Sequence, residues 1–183
     1  AFTGADRRKE GLFEAASKGT LLLDEIGELS PALQAKLLRV LENRTVTHLG
    51  GSQEIPVDVR IVCATNRDLE GRVRDGTFRQ DLFFRVNAFS LTLPPLRERP
   101  GAVERLARHF AVECARVAGR PAPAIDDDAM AALEAYGWPG NVRELKNAME
   151  HAVVMATAGR IAPEHLPERI VAQAVQPSDS GMR

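Results

Sequence analysis

The 183-residue sequence is most informative first in what it lacks. It has one Trp, one Tyr and two Cys. Cys63 and Cys114 stand far apart, with no CxxC spacing and no histidine pair nearby, so neither a disulfide framework nor a zinc site is indicated. A reducing compartment follows as the expectation. No apolar run approaches the length of a membrane span, and the amino terminus shows no basic-then-apolar leader. The formal net charge of −1 supplies no general attraction to nucleic acid or anionic lipid. Internal repeats and low-complexity segments are missing too. What is present is a 44 % hydrophobic content, enough for a real core and too much for a disordered chain.

The first half alternates short apolar runs with helical patterns, which indicates an α/β sheet with parallel strands. Gly19-Thr20-Leu21-Leu22-Leu23 reads as a buried strand ending at Asp24-Glu25. Ser30 caps a helix that has Pro31 at its first position and Leu33, Leu37, Leu38 and Leu41 on one apolar face. Residues 45–57 form a hairpin or protruding loop around Gly50-Gly51, and Val59 to Ala64 is a second buried strand. A short helix around Asp81 to Phe84 and a third strand, Ala88 to Leu93, complete the pattern. Pro94-Pro95 then ends it. Beyond lie helices at Val103–Val117, from Asp126–Asp128 through Tyr136, from Asn141 to about Ala156, and from Pro163 to about Ala174. Asn141 and Glu144 form a capping box, and 176–183 is a frayed tail.

An apolar strand ending in Asp-Glu suits phosphoryl transfer. The first carboxylate can hold Mg²⁺ and the second can orient or deprotonate an attacking water; the alternative is simply the start of a loop. Asn66, at the end of the next strand, can orient the same water or serve as a turn residue. Arg79 and Arg85 flank a short aromatic-rich helix, either as transition-state cations for a neighbour's nucleotide or as surface partners of Asp75 or Asp81. Arg143 lies in the first turn of a helix, where the dipole disfavours a cation unless an anion is near. A phosphate answers that need, and so does Glu144. Phe2, among small residues, is either an exposed docking aromatic or an ordinary core residue.

Together these segments resemble the AAA+ domain of bacterial sigma-54-dependent transcription activators, the enhancer-binding proteins. Ala1-Phe2-Thr3-Gly4-Ala5 matches all but the first glycine of that family's GAFTGA loop. Gly11 to Ala16 and Gly19 to Ile26 match the segment into the Walker B strand. Ala64 to Leu69 is similar to the sensor I region, Phe78 to Arg85 to the arginine-finger segment, Leu93 to Arg99 to the junction with the lid, and Trp138 to Leu145 to sensor II.

The resemblance implies the C-terminal part of a P-loop AAA+ sandwich (residues 1–93), an all-α lid subdomain (94–175) and a tail. It implies a cytoplasmic, homo-oligomeric ring ATPase that uses ATP and Mg²⁺, contacts sigma-54 of RNA polymerase and remodels the closed promoter complex. Phe2, Thr3, Gly4 and Ala5 would touch sigma-54, and residues 46–57 would form the second surface loop. Asp24 would hold Mg²⁺, Glu25 would handle the water and Asn66 would sense the γ-phosphate. Arg79 and Arg85 would reach across the subunit interface, and Arg143 would read nucleotide from the lid. DNA would be met only through a domain outside this sequence.

The sequence departs from the family pattern in having no G-x-x-x-x-G-K-[ST] segment. The expectation drawn from this is a domain truncated after its Walker A region, unable alone to bind ATP tightly or hydrolyse it. Unpaired edges at Val59–Ala64 and Ala88–Leu93 would then make the isolated chain prone to aggregate. A non-catalytic sigma-54-docking fragment is the alternative. A DNA-binding helix-turn-helix from residues 126–136 and 141–156 is a second, weakened by Glu144 and Glu150 beside Arg143 and Lys146. His48 stands where arginine is expected in many relatives.

Overall fold

The computed structural model describes residues 11–48, 50–156 and 159–175. The chain divides into two compact units between Leu91 and Thr92.

Unit 1 opens with a short helix, α1 (Leu12–Ala15), and the strand β1 (Thr20–Leu23). A 3-10 turn at Ile26–Glu28 leads to α2 (Pro31–Asn43), where the Ser30 hydroxyl accepts the Leu33 N–H at 3.4 Å. The predicted apolar face of α2 is corrected at one position. Leu33 is about half exposed, and Gln34 is the buried residue beside Leu37 and Leu38. The strands β2 (Thr45–Thr47) and β3 (Glu54–Pro56) form the expected antiparallel hairpin. β4 (Arg60–Cys63) pairs with β1 in parallel, Leu23 opposite Cys63.

Two elements differ from expectation. A helix, α3 (Leu69–Arg74), follows β4, capped by Asp68, whose Oδ1 accepts the Gly71 N–H at 3.0 Å. The third strand is absent: after α4 (Gln80–Val86), residues 88–93 form no strand ladder, and Phe89, Leu91 and Leu93 are exposed. Apolar β-propensity alone makes no strand: a ladder needs bonds to a neighbouring edge, and residues 88–93 join none. Ile26, Leu37, Leu38, Phe78 and Leu82 make the core of unit 1.

Unit 2 is mainly helical: α5 (Ala102–Val117), α6 (Asp127–Ala135), α7 (Asn141–Met155) and α8 (Glu168–Val175). A two-residue parallel pair, β5 (Ala124–Ile125) with β6 (Arg160–Ile161), was not evident in the sequence. α5 packs along α7, and both bury alanines at the contact (Ala107, Ala111 and Ala115 on one, Ala148 and Ala152 on the other). The Trp138 ring is fully buried, donates Nε1–H to the Leu133 carbonyl at 2.8 Å, and meets Tyr136 edge-on at 4.9 Å between centroids. Asp126 precedes α6 but does not cap it with its side chain, because both carboxylate oxygens bind Arg160 of β6.

Candidate functional site

Parallel pairing in register brings the carboxyl ends of β1 and β4 side by side, so Asp24-Glu25 and Ala64-Thr65-Asn66 leave the sheet at one edge. Backbone bonds continue the ladder past the strands: Ala64 N–H to the Leu23 carbonyl at 2.9 Å and Ile26 N–H to the Ala64 carbonyl at 3.1 Å. Gly27 tightens the junction. A Cβ on Gly27 would lie 2.8 Å from Thr65 Oγ1 and 3.0 Å from Arg67 Cβ, so only glycine lets the two turns approach this closely.

Asp24 and Glu25 are exposed at this edge, and so is Asn66. Asp24 Oδ1 accepts the Glu25 N–H at 2.9 Å. Glu25 itself is left-handed, with φ 53° and ψ 41°. A non-glycine residue there costs on the order of 1 kcal/mol. Around the pair, Glu28 binds Arg67 and Arg72. The Arg67 hydrogen bond holds the Glu28 carboxyl below the usual glutamate range. Arg72 also donates to the Gly27 carbonyl at 2.6 Å, which fixes the turn from below.

No group of three or more His, Cys, Asp or Glu side chains suited to a metal ion occurs among the described residues.

Arg79 precedes α4, and Arg85 lies in its last turn. The Arg79 guanidinium binds Asp81 with two parallel bonds, and its backbone N–H donates to Gln34 Oε1 at 2.8 Å. Arg79, Gln80, Asp81 and Phe84 line a shallow depression of about 500 Å³. Arg85 Nη2 donates to the Leu41 carbonyl at 3.0 Å, so it caps the end of α2. Arg79 thus pairs with Asp81, one of the two surface partners considered for it, and Arg85 is engaged within unit 1. Gln34 escapes sequence reasoning as a site residue because an amide within a leucine-rich helix reads as an exposed interruption of the face.

In unit 2, Arg143 is exposed in the first turn of α7. The expected capping box between Asn141 and Glu144 does not form, because both side chains bond elsewhere. Glu144 Oε2 accepts the Gly140 N–H at 2.8 Å, while Asn141 Oδ1 accepts the Leu96 N–H at 2.8 Å. Glu144 also binds the Tyr136 hydroxyl and Arg169, so its charge serves the lid's own frame rather than Arg143. Gly140 admits this fold-back, since a Cβ there would lie 2.7 Å from that of Glu144.

In the hairpin, His48 Nε2 lies 3.5 Å from Glu14 Oε2 of α1. The expected sigma-54 contacts Phe2, Thr3, Gly4 and Ala5, and the tail at 176–183, lie outside the described residues.

Comparison with known proteins agrees with this layout. Residues 1–92 match the Sigma-54 interaction domain and residues 97–182 the AAA+ ATPase lid domain. Regulatory protein AtoC of Escherichia coli is 52 % identical over 170 residues, 93 % of this chain but 37 % of AtoC. Transcriptional regulatory protein ZraR of Klebsiella oxytoca is 45 % identical over 99 % of the chain and 41 % of ZraR. The chain thus spans about two fifths of these curated relatives. NtrX from Brucella abortus, in crystals with ADP and with ATP, superposes with TM-scores of 0.85 at 34 % and 35 % identity. The overlays cover 96 % and 94 % of this chain, and 41 % and 40 % of NtrX.

These matches correct the expectation of a domain truncated after Walker A, lacking its phosphate loop and inactive for that reason. Nearly all of the chain superposes on a protein captured with both nucleotides, and its Asp24-Glu25 edge is assembled in register. The absence of one motif from these 183 residues does not decide whether nucleotide binds. The helix-turn-helix alternative falls as well, because α6 and α7 are core helices of a matched ATPase lid.

Proposed function

We propose that this chain, which belongs to the Sigma-54 interaction domain family and continues into an AAA+ ATPase lid domain, supplies hydrolytic residues of an ATP-driven, homo-oligomeric ring in the bacterial cytoplasm. The ring engages sigma-54 and remodels the closed RNA polymerase complex, so that transcription begins. ATP is the nucleotide, in keeping with the ATP-bound and ADP-bound NtrX crystals.

The observation that carries this reading is the in-register pairing of β1 with β4, which sets Asp24-Glu25 beside Asn66 at one sheet edge. Asp24 would hold Mg²⁺, which neutralises phosphate charge when bound. Glu25 polarises the attacking water, and Asn66 orients it toward the γ-phosphate. Arg79 and Arg85 present cations to the nucleotide of an adjacent subunit, where spreading negative charge in the transition state needs them. To do so each exchanges its present partner, Asp81 or the Leu41 carbonyl, for phosphate oxygens. Arg143 reads the nucleotide from the lid, and Phe2 to Ala5 dock on sigma-54.

The test is Glu25→Gln in the full-length protein. ATP binding is retained and turnover falls by roughly 10²-fold or more. Turnover at the wild-type rate would remove Glu25 from the chemistry.

A further inference from the structure

Gln34 is the one polar residue fully buried among the core residues described, with 1 % of its surface exposed. Its amide is engaged on both sides. Nε2 donates to the Leu29 carbonyl at 2.9 Å and to the Thr77 carbonyl at 3.0 Å, and Oε1 accepts the Arg79 N–H at 2.8 Å. The three contacts leave one orientation of the amide, because turning it over would set oxygen against two carbonyls and nitrogen against an N–H. Leu29 ends the 3-10 turn that begins directly after Asp24-Glu25. Thr77 and Arg79 belong to the stretch that launches α4. One side chain therefore ties the exit of the carboxylate strand to the backbone of an arginine 45 residues further on.

We infer that Gln34 is a positioning residue for Arg79, coupling the conformation of the Asp24-Glu25 turn to the placement of that cation. The inference rests on Arg79 acting as a transition-state cation. It adds a route by which the hydrolytic edge of one subunit sets the geometry of the arginine it offers to the next site. Buried amides of this kind fix geometry because each unpaired group costs its full desolvation. Replacing Gln34 by a side chain without hydrogen bonds orphans two carbonyls and one N–H, and frees residue 79 to move. A displacement near 1 Å at a reacting centre can cost about 10²-fold in rate.

The experiment is a double-mutant cycle on steady-state ATP turnover by the full-length protein: wild type, Gln34→Met, Arg79→Ala and the pair. Leu38→Ala serves as a control that loosens the same core while keeping the Gln34 amide and its three partners. Expected is a kcat loss of about 10- to 100-fold for Gln34→Met with KM changed less than about twofold. No further loss is expected when it is added to Arg79→Ala, and Leu38→Ala should hold kcat near wild type. Equal, additive losses from Gln34→Met in both backgrounds would overturn the inference and leave the role of Arg79 standing. An Arg79→Ala variant with unchanged kcat would overturn both.

Should Gln34→Met not fold, Gln34→Glu keeps the acceptor for the Arg79 N–H and regains a donor only when protonated. Its kcat relative to wild type should rise as pH is lowered. A flat ratio would count against the coupling.

Discussion

The Arg79 guanidinium lies against Asp81 of its own helix, with Nε 3.0 Å from Oδ1 and Nη2 2.7 Å from Oδ2. The pair is exposed, so it adds little to stability, but it decides where the cation rests before it meets another anion. The Arg79 hydrogen bond holds the Asp81 carboxyl below the usual aspartate range, and the same bond raises Arg79.

The sign of the pH dependence follows. A depressed carboxyl contributes its stabilisation fully above the unfolded value of about 3.9, and loses it as pH falls through the lower folded value. Carbon-detected NMR titration should place the Asp81 midpoint below about 3.9. Arg79→Ala should return it toward that value. A wild-type midpoint at the ordinary value would mean that the pair does not form in solution.

Glu25 gives a second prediction, because its backbone is left-handed at φ 53°. Glycine adopts that conformation without a Cβ penalty, whereas alanine retains it. Glu25→Gly and Glu25→Ala should therefore both abolish turnover while differing in stability. The glycine variant should be the more stable by up to about 1 kcal/mol, after the greater entropy of its unfolded chain is counted. Urea unfolding of the two variants measures the difference. If alanine proves the more stable, the turn is not held left-handed in solution.

How much of the fold and site is legible in the sequence depends on how local the cause is. Ser30-Pro31 announces α2, and the apolar runs around Leu22 and Val62 announce the paired strands, because capping and β-patterning act within a few residues; the expected burial of those strands is corrected, since Leu22 and Val62 are exposed. Residues 88–93 carry the same kind of pattern, but a strand also needs an edge to bond. Asp68 is a local signal as well, a cap that marks the start of α3, although the short helix behind it has no clear apolar period. Gln34 and Gly27 are hidden for a different reason. Apart from the Gln34 bond to Leu29, their roles are made by contacts with residues 38 to 45 positions away, which no window of sequence reports. Asn141 has the pattern of a local cap, yet its oxygen serves Leu96, another contact at long range.

Gly27 yields the third prediction. Its missing Cβ lets the turn after β1 rest on Thr65 and Arg67. Gly27→Ala must push the two turns apart by a few tenths of an ångström, at a cost of about 1–3 kcal/mol. Because Asp24-Glu25 and Asn66 sit on those turns, kcat should fall about tenfold or more while KM changes little. Turnover at the wild-type rate would show that the close contact is structural only.

The lid supplies the fourth. The described residues between 92 and 175 enclose their own core, with Leu133, Trp138, Leu145, Met149, Ile161 and Ile170 almost fully buried. Such a core satisfies the requirement for independent folding. Expressed alone, this unit should melt cooperatively, and Trp138, the single tryptophan of the chain, reports the transition through its fluorescence. Trp138→Ala removes the largest buried side chain and should cost about 3–5 kcal/mol, enough to leave a unit of this size largely unfolded. Trp138→Phe keeps most of the volume but loses the donor to the Leu133 carbonyl, and should cost about 1–3 kcal/mol. An isolated unit whose tryptophan emits as in water, with no melting transition, would show that this core is insufficient by itself.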